Sequence, residues 1–167
     1  FLFHYYFATK KIYRQATAIT SITDKFLQYI ENFSNRDSNE LNKVFPLVSN
    51  LKLVNNNFNL VENWWDSIGV YNDNIFKVVY VGNLSSNIDL SEVKNAAKLF
   101  KERNIKIQFV ICGGGNYLEI FKHMMQDLDN VIFPGWVNQE QVSVLAKRSN
   151  VWLIPYFNKE NFRLSLP

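Results

Sequence analysis

Small and polar residues that could approach a bound anion follow four apolar segments of this sequence. They occupy residues 82–86 (GNLSS), 113–116 (GGGN), 134–136 (PGW) and 155–158 (PYFN). Glycine has no Cβ atom and accepts positive φ angles, so backbone N–H groups beside it can face a ligand directly. A helix that starts soon after such a turn adds unpaired N–H donors and a partial positive charge. This chemistry suits an anionic group, and we expect a diphosphate.

A single glycine turn after a strand is ordinary turn chemistry and does not by itself indicate a ligand. Four such turns in succession favour a common site, because the carboxyl ends of parallel strands meet at one edge of a sheet. The segment "CGGGNYL" lacks the dinucleotide fingerprint, since Leu118 stands where the last glycine would be, and no Walker lysine is present. Nicotinamide enzymes and P-loop enzymes are therefore poor fits. Trp136 could stack on a nucleotide base or cap the core.

A regular alternation of apolar strands and amphipathic helices positions these turns. The predicted strands are residues 76–81, 105–112, 131–133 and 151–154, and the predicted helices are residues 90–104, 116–127 and 139–147. Strands that are apolar on both faces and alternate with helices are typical of a parallel sheet covered on both sides. The predicted fold is α/β, a Rossmann-like parallel sheet with helices on both faces, and both ends of the chain look truncated.

The first 75 residues have a less regular pattern. The expected elements are a helix over residues 2–15, a β-prone run over 18–22, a helix over 25–33 capped by Thr23 or Asp24, a short strand at 44–48 broken by Pro46, and a short helix near 62–68. Asparagine-rich stretches surround the last of these helices, which is typical of a connector.

Composition and charge narrow the function classes. The chain of 167 residues has 47% hydrophobic and 20% charged residues, as ordinary globular proteins have. Its net charge of +3 is mild and its basic residues are scattered, so no nucleic-acid partner is expected. Cys112 is the single cysteine, and we expect a buried thiol in a reducing compartment. His4 and His123 lack Cys or carboxylate neighbours at metal-binding spacing, so no metal site is expected.

The opening residues are aromatic and then basic ("FLFHYYFATKKIYR"). Two interpretations stay open for them: a helix packed on a neighbouring element, which we favour, and a segment lying on a membrane surface. The apolar runs are far shorter than the roughly 20 residues that cross a bilayer. We therefore expect a cytoplasmic protein, with peripheral contact at the inner face of the membrane as the second interpretation.

The order of the motifs resembles the carboxyl-terminal donor domain of family 4 glycosyltransferases with the GT-B fold. The motifs are "VVYVGNLS…DL", "FVICGGGNY", "NVIFPGWVNQEQVSVLAKRSNVWLIPY" and "NFRLSLP". The likeness covers residues 76–167 well and extends loosely upstream, to "KKIYRQATAITSITDKFLQYI" and "VFPLVSN". It implies a remnant of the amino-terminal acceptor domain at residues 1–50, a connector or hinge at 51–75, and an incomplete donor nucleotide-sugar-binding domain at 76–167.

This resemblance implies transfer of a sugar from a UDP- or GDP-linked donor to a glycan or lipid-linked acceptor. The family retains the anomeric configuration and needs neither a bound metal nor a cofactor. The "NFRLSLP" motif is similar to members that act in bacterial surface polysaccharide synthesis. The intact protein is expected to be an enzyme and this segment alone to be inactive. The alternatives are a non-catalytic α/β nucleotide-binding or scaffold module of the same fold and a GT-B epimerase.

The resemblance further implies a donor-binding set, although it assigns no individual catalytic residue. Gly82, Asn83 and Leu84 would approach the diphosphate or sugar, Gly113, Gly114 and Gly115 would line the nucleotide pocket, Trp136 and Val137 would border the base, and Tyr156, Asn161, Arg163 and Ser165 would face the donor sugar and phosphates. Many members carry an arginine and a lysine at the places of Asn83 and Ile88. The leaving-group charge must then be met by backbone N–H groups, or by Lys159 and Arg163.

Overall fold

The computed structural model describes residues 2–46 and 58–159, which fall into two compact units. Of the described residues, the first unit contains 2–46 together with 158 and 159, and its elements are two helices and two short strands. Its elements are α1 (Leu2–Gln15), β1 (Thr20–Ser21), α2 (Asp24–Ser34) and β2 (Lys43–Val44). The two strands pair in parallel.

Local chemistry explains how the elements of the first unit begin and end. The Thr23 side chain accepts a hydrogen bond from the Phe26 N–H at 3.1 Å, so Thr23 is the predicted N-cap of α2. Asn35 ends the same helix in the left-handed conformation, which asparagine tolerates. Strand β2 lies one residue earlier than expected, because the Lys43 N–H donates to Ile19 O and sets the register. Residues 47 and 48, predicted to continue it, lie outside the described residues.

The second unit contains residues 58–157 and a four-stranded parallel sheet. Its elements are α3 (Phe58–Ser67), β3 (Phe76–Val81), α4 (Ser91–Glu102), β4 (Ile107–Cys112), α5 (Leu118–Met124), β5 (Val131–Gly135), α6 (Gln139–Arg148) and β6 (Val151–Trp152). The strand order is β5-β4-β3-β6. The chain therefore winds outward from β3 to β5 and then crosses back to the other side of β3, which confirms the predicted Rossmann-like arrangement.

Helices cover both faces of this sheet, as predicted. One face packs Tyr80, Leu84 and Ile111 against residues of α4 and α5. The other face packs Val79, Val110 and Cys112 against residues of α3 and α6. Burial raises the pKa of the Cys112 thiol to about 12, so this cysteine is the buried small hydrophobe that the sequence indicated.

Helix α3 is anchored to α6 by polar contacts as well as by packing. The Trp65 indole donates to Gln141 O at 3.0 Å. The buried Arg148 guanidinium reaches Asp66 Oδ1 and Val70 O, both at 2.6 Å. The helix begins at Phe58, earlier than predicted, and it belongs to the same unit as the sheet.

Four elements of the second unit are shorter than predicted. Strand β4 starts at Ile107 rather than at residue 105. Helix α4 spans Ser91–Glu102 rather than residues 90–104. Helix α5 is confined to Leu118–Met124, because residues 116 and 117 form a turn that the bond from the Leu118 N–H to Gly115 O closes. Strand β6 has two residues rather than four, since the chain turns away from the sheet before Pro155. Within the described part of the chain, the helices are too short or too polar to cross a membrane.

Candidate functional site

The exits of β3, β4 and β5 line one cavity of about 310 Å³, which we call the exit cavity. Its walls are Val81, Gly82, Asn83, Gly113, Gly114, Trp136 and Val137. Three of the four predicted turns therefore converge, as expected for the carboxyl edge of a parallel sheet.

The loops after β3 and β4 are joined backbone to backbone. The Gly82 N–H donates to Cys112 O at 3.1 Å, and the Leu84 N–H donates to Gly114 O at 2.8 Å. The Tyr117 N–H returns a bond to Leu84 O at 3.1 Å. These bonds continue the sheet pairing beyond the strands and hold the two loops as one rigid wall.

Glycine is required at two positions of this wall. Gly113 and Gly115 have φ angles of +135° and +140°, which side-chain-bearing residues rarely adopt. A Cβ atom on Gly113 would lie 1.8 Å from Gly82 O, and one on Gly115 would lie 2.3 Å from Leu84 O. Gly114 differs, because a Cβ atom there would meet no atom of the described residues within 4 Å. Gly113 and Gly115 therefore serve the packing of the loops, whereas Gly114 borders open space.

Backbone donors remain unused at the exit cavity. Among residues 2–46 and 58–159, no acceptor is bonded to the N–H of Asn83 or to that of Gly114. Among the residues that the structure describes, the side chains lining the cavity are all non-ionisable. A negatively charged ligand would therefore meet main-chain dipoles here rather than a charged side chain.

The third exit places an exposed indole at the rim of the cavity. Gly135 O accepts from the Gly113 N–H at 2.7 Å, which ties β5 to the glycine loop. Trp136 is 76% exposed, whereas Val137 is 8% exposed and packs into the core. Asn138 then caps α6 reciprocally with Gln141. The fixed backbone on either side leaves the Trp136 ring available for stacking.

The fourth exit lines a different pocket. Tyr156 borders a cavity of about 240 Å³ together with Asp89, Glu92 and Pro155. Ile88 and Tyr156 form an antiparallel bridge, and the Asp89 N–H donates to Pro155 O at 2.7 Å. The β6 exit is therefore bonded to the long loop after β3 and takes no part in the exit cavity.

A carboxylate of the chain itself lies beside the N-terminus of α4, the first helix after these turns. Asp89 accepts hydrogen bonds from both the N–H and the hydroxyl of Ser91 at the start of α4. These bonds from Ser91 hold the pKa of Asp89 below its usual value. The Ser91 N–H at this helix N-terminus is thus already bonded to a carboxylate, and the donors at the exit cavity come from the loops.

The other predicted site residues have varied positions. The Leu84 side chain is buried in the core, so only its backbone reaches the loop wall. Gly115 supports that wall from behind and does not line the exit cavity. Asn161, Arg163 and Ser165 lie outside the described residues.

Tyr80 is a residue of this region that the sequence reasoning did not single out. It is 5% exposed, and its hydroxyl donates to Asn83 O at 3.1 Å. A Cβ atom on Gly82 would lie 2.5 Å from the same hydroxyl. The sequence "VYVG" could have indicated this contact, because strand alternation puts residues 80 and 82 on one face.

The described residues hold no cluster of three His, Cys, Asp or Glu side chains that could bind a metal ion. The expectation of a metal-independent site stays a prediction.

Several solved structures share this fold. Sucrose-phosphate synthase from Thermosynechococcus elongatus matches with a TM-score of 0.64 and 18% identity, over 90% of this chain and 38% of that one. Anabaena HepE, in complex with UDP and glucose, matches with a TM-score of 0.61 and 16% identity, over 87% of this chain and 39% of that one. WaaG, a glycosyltransferase involved in lipopolysaccharide biosynthesis, matches with a TM-score of 0.60 and 17% identity, over 84% and 38%.

The chain spans about two fifths of the length of these three structures. No curated protein is significantly similar to it in sequence. The model of one protein family, glycosyl transferases group 1, matches residues 65–166, which include the whole exit cavity. The chain therefore belongs to the glycosyl transferases group 1 family and has the parallel α/β arrangement of its GT-B members.

Proposed function

We propose that this chain is the donor-binding part of a retaining family 4 glycosyltransferase, which moves a sugar from a nucleotide-sugar to an acceptor. The observation that carries the proposal is the exit cavity. There the hydrogen-bonded loops after β3 and β4 leave the N–H groups of Asn83 and Gly114 without an acceptor among the described residues. Membership in the glycosyltransferase family supports the reaction class.

Backbone stabilisation of the departing nucleoside diphosphate is the central step in this proposal. As the glycosidic bond to the donor phosphate breaks, negative charge grows on the phosphate oxygens. Fixed N–H donors in a partly enclosed cavity stabilise that charge without reorganising. The loops are held by bonds to Cys112 O and Gly114 O, so their N–H groups are preorganised before the nucleotide-sugar binds. Lys159 and Arg163 stay predicted sources of positive charge.

The nucleotide base is assigned to the Trp136 rim. The indole is exposed and its backbone is fixed on both sides, so a base could stack on it at little entropic cost. The Val137 backbone is the proposed hydrogen-bonding partner of the base, because among the described residues its N–H and C=O make no other hydrogen bond. A UDP- or GDP-linked donor is proposed.

A glycan or lipid-linked acceptor and a role in bacterial surface polysaccharide synthesis complete the proposal. The lipopolysaccharide role printed for WaaG is consistent with such a pathway. A cytoplasmic location with peripheral membrane contact is supported by α1, which exposes Phe3, Tyr5 and Phe7 and contains no acidic residue. Sedimentation of the complete protein with anionic vesicles tests this contact, and a protein that stays in the supernatant contradicts it.

Calorimetric titration of the complete protein with UDP and with GDP tests the main proposal. A Gly114→Ala variant sharpens the test, because its Cβ would contact none of the described residues and yet would belong to the wall of the exit cavity. We expect the variant to fold normally and to bind the preferred nucleotide at least tenfold more weakly.

A non-catalytic module of the same fold is the second candidate, favoured by the absence of ionisable side chains from the described lining of the exit cavity. A complete protein that binds neither nucleotide and hydrolyses no sugar nucleotide would support that candidate. Donor isomerisation without an acceptor would instead indicate an epimerase.

A further inference from the structure

Tyr80 lies beneath the loop after β3, and its hydroxyl restricts the movement of that loop at Gly82 and Asn83. The phenol is buried among the side chains of one sheet face. Its oxygen is bonded to Asn83 O, and it also lies directly under Gly82. Both Gly82 and Asn83 line the exit cavity, so the phenol supports the floor of that cavity without lining it.

The peptide group between Asn83 and Leu84 is held from both sides. Its carbonyl oxygen accepts from the Tyr80 hydroxyl at 3.1 Å, and its N–H donates to Gly114 O at 2.8 Å. A peptide group is planar, so fixing its oxygen and its N–H fixes the orientation of the plane. The preceding peptide is confined as well, because Gly82 O lies against the Cα side of Gly113.

We propose that Tyr80 is a positioning residue for donor binding, whose hydroxyl locks the Asn83–Leu84 peptide and thereby holds the Asn83 N–H at the exit cavity. This inference rests on the proposed function. Tyr80 does not touch the ligand in this proposal, and it acts through the loop alone. This positioning role explains why residue 80 is a tyrosine, since a phenylalanine would fill the same space in the core.

A further observation agrees with this role. Burial raises the pKa of Tyr80 to about 12, with a smaller contribution from Tyr156, so the hydroxyl keeps its proton and stays a donor near neutral pH. Tyr156 is the residue that bridges Ile88.

Substitution Tyr80→Phe in the complete protein tests the inference. The ring is preserved, so we expect a normal fold by near-ultraviolet circular dichroism. The Asn83 carbonyl loses its bond to the phenol, and we expect nucleoside diphosphate affinity to fall about tenfold. We also expect the donor KM to rise more than kcat falls, and hydrogen exchange of the peptide spanning residues 80–86 to accelerate.

The matched control is Trp65→Phe, which removes another buried side-chain bond to a main-chain carbonyl, on the opposite face of the sheet. It should leave the exchange of residues 80–86 and the nucleotide affinity unchanged. If Tyr80→Phe leaves either quantity at the wild-type value, the positioning role is wrong. If the wild-type protein binds no nucleotide, the proposed function is wrong. The role of Tyr80 in fixing the loop can then still be tested by hydrogen exchange alone, and equal exchange of residues 80–86 in the wild type and in Tyr80→Phe would contradict it.

Discussion

The carbonyl oxygen of Gly82 lies so close to Gly113 that a single methyl group on Gly113 would stand 1.8 Å from it. The two residues belong to the exits of adjacent strands, so this close approach sets the width of the wall between them. Neither the oxygen nor the Gly113 backbone can move freely, because the Gly113 N–H is bonded to Gly135 O.

Gly113→Ala should therefore destabilise the protein strongly. The substitution combines a steric clash with a φ angle of +135°, and we expect a loss of roughly 2–4 kcal/mol in the free energy of unfolding. Urea unfolding measures it. Gly114→Ala is the control and should change stability by less than about 0.5 kcal/mol. Equal losses in the two variants would show that the wall is not packed as described.

Trp136→Ala should weaken nucleotide binding without affecting stability. The side chain is 76% exposed, so the core loses little, whereas loss of base stacking typically costs about 1–3 kcal/mol. Titration with the preferred nucleoside diphosphate measures the change, and Trp136→Phe should recover part of the affinity. Full affinity in the alanine variant would place the base elsewhere.

Arg148→Ala should loosen α3 from α6. The guanidinium is the partner of Asp66 and of the Val70 carbonyl, and removing it leaves that carbonyl without its bond. We expect a loss of roughly 2–3 kcal/mol, moderated because Asp66 is partly exposed and can be hydrated. Thermal unfolding measures it, with Lys98→Ala on the exposed surface of α4 as the control. A melting temperature equal to wild type would contradict the anchoring role.

Stability should decline in alkaline solution. The pKa of Tyr80 is raised from 10.0 to about 12 and that of Cys112 from 9.0 to about 12. At a pH between the ordinary pKa of each group and its raised pKa, the unfolded chain has lost a proton that the folded chain keeps. The free energy of unfolding therefore falls as pH rises through this range. Urea midpoints measured from pH 8 to pH 11 check this. Tyr80→Phe should flatten the decline above pH 10, and an unchanged slope would mean that Tyr80 titrates normally.

The alternation of elements in the second unit was predictable, because each strand is an apolar run closed by glycine or proline. Strand β3 has its predicted bounds even though it contains Lys77, which is 1% exposed. An ion pair with Asp73 makes that burial tolerable. Asp73 lies four residues earlier in the sequence, in an irregular loop. No local pattern reveals such a pairing.

The candidate site was predictable in part for the same reason. Glycine positions indicated which turns could converge, and three of them do. The fourth turn is diverted by the bridge between Ile88 and Tyr156, a contact between residues distant in sequence that single-sequence patterns do not encode. The bond from the Ser91 N–H to Asp89 likewise depends on how far the preceding loop runs before α4 begins.

Three of the seven described residues that line the exit cavity are glycines, and main-chain bonds among residues 82–84, 112–114 and 135 join its loops. Its contour is consequently insensitive to the identity of most side chains at the rim. Asn83 can be exchanged for a charged or larger residue while the scaffold persists, so altered donor preference could arise at that position by single substitutions, without any need to rebuild the surrounding architecture.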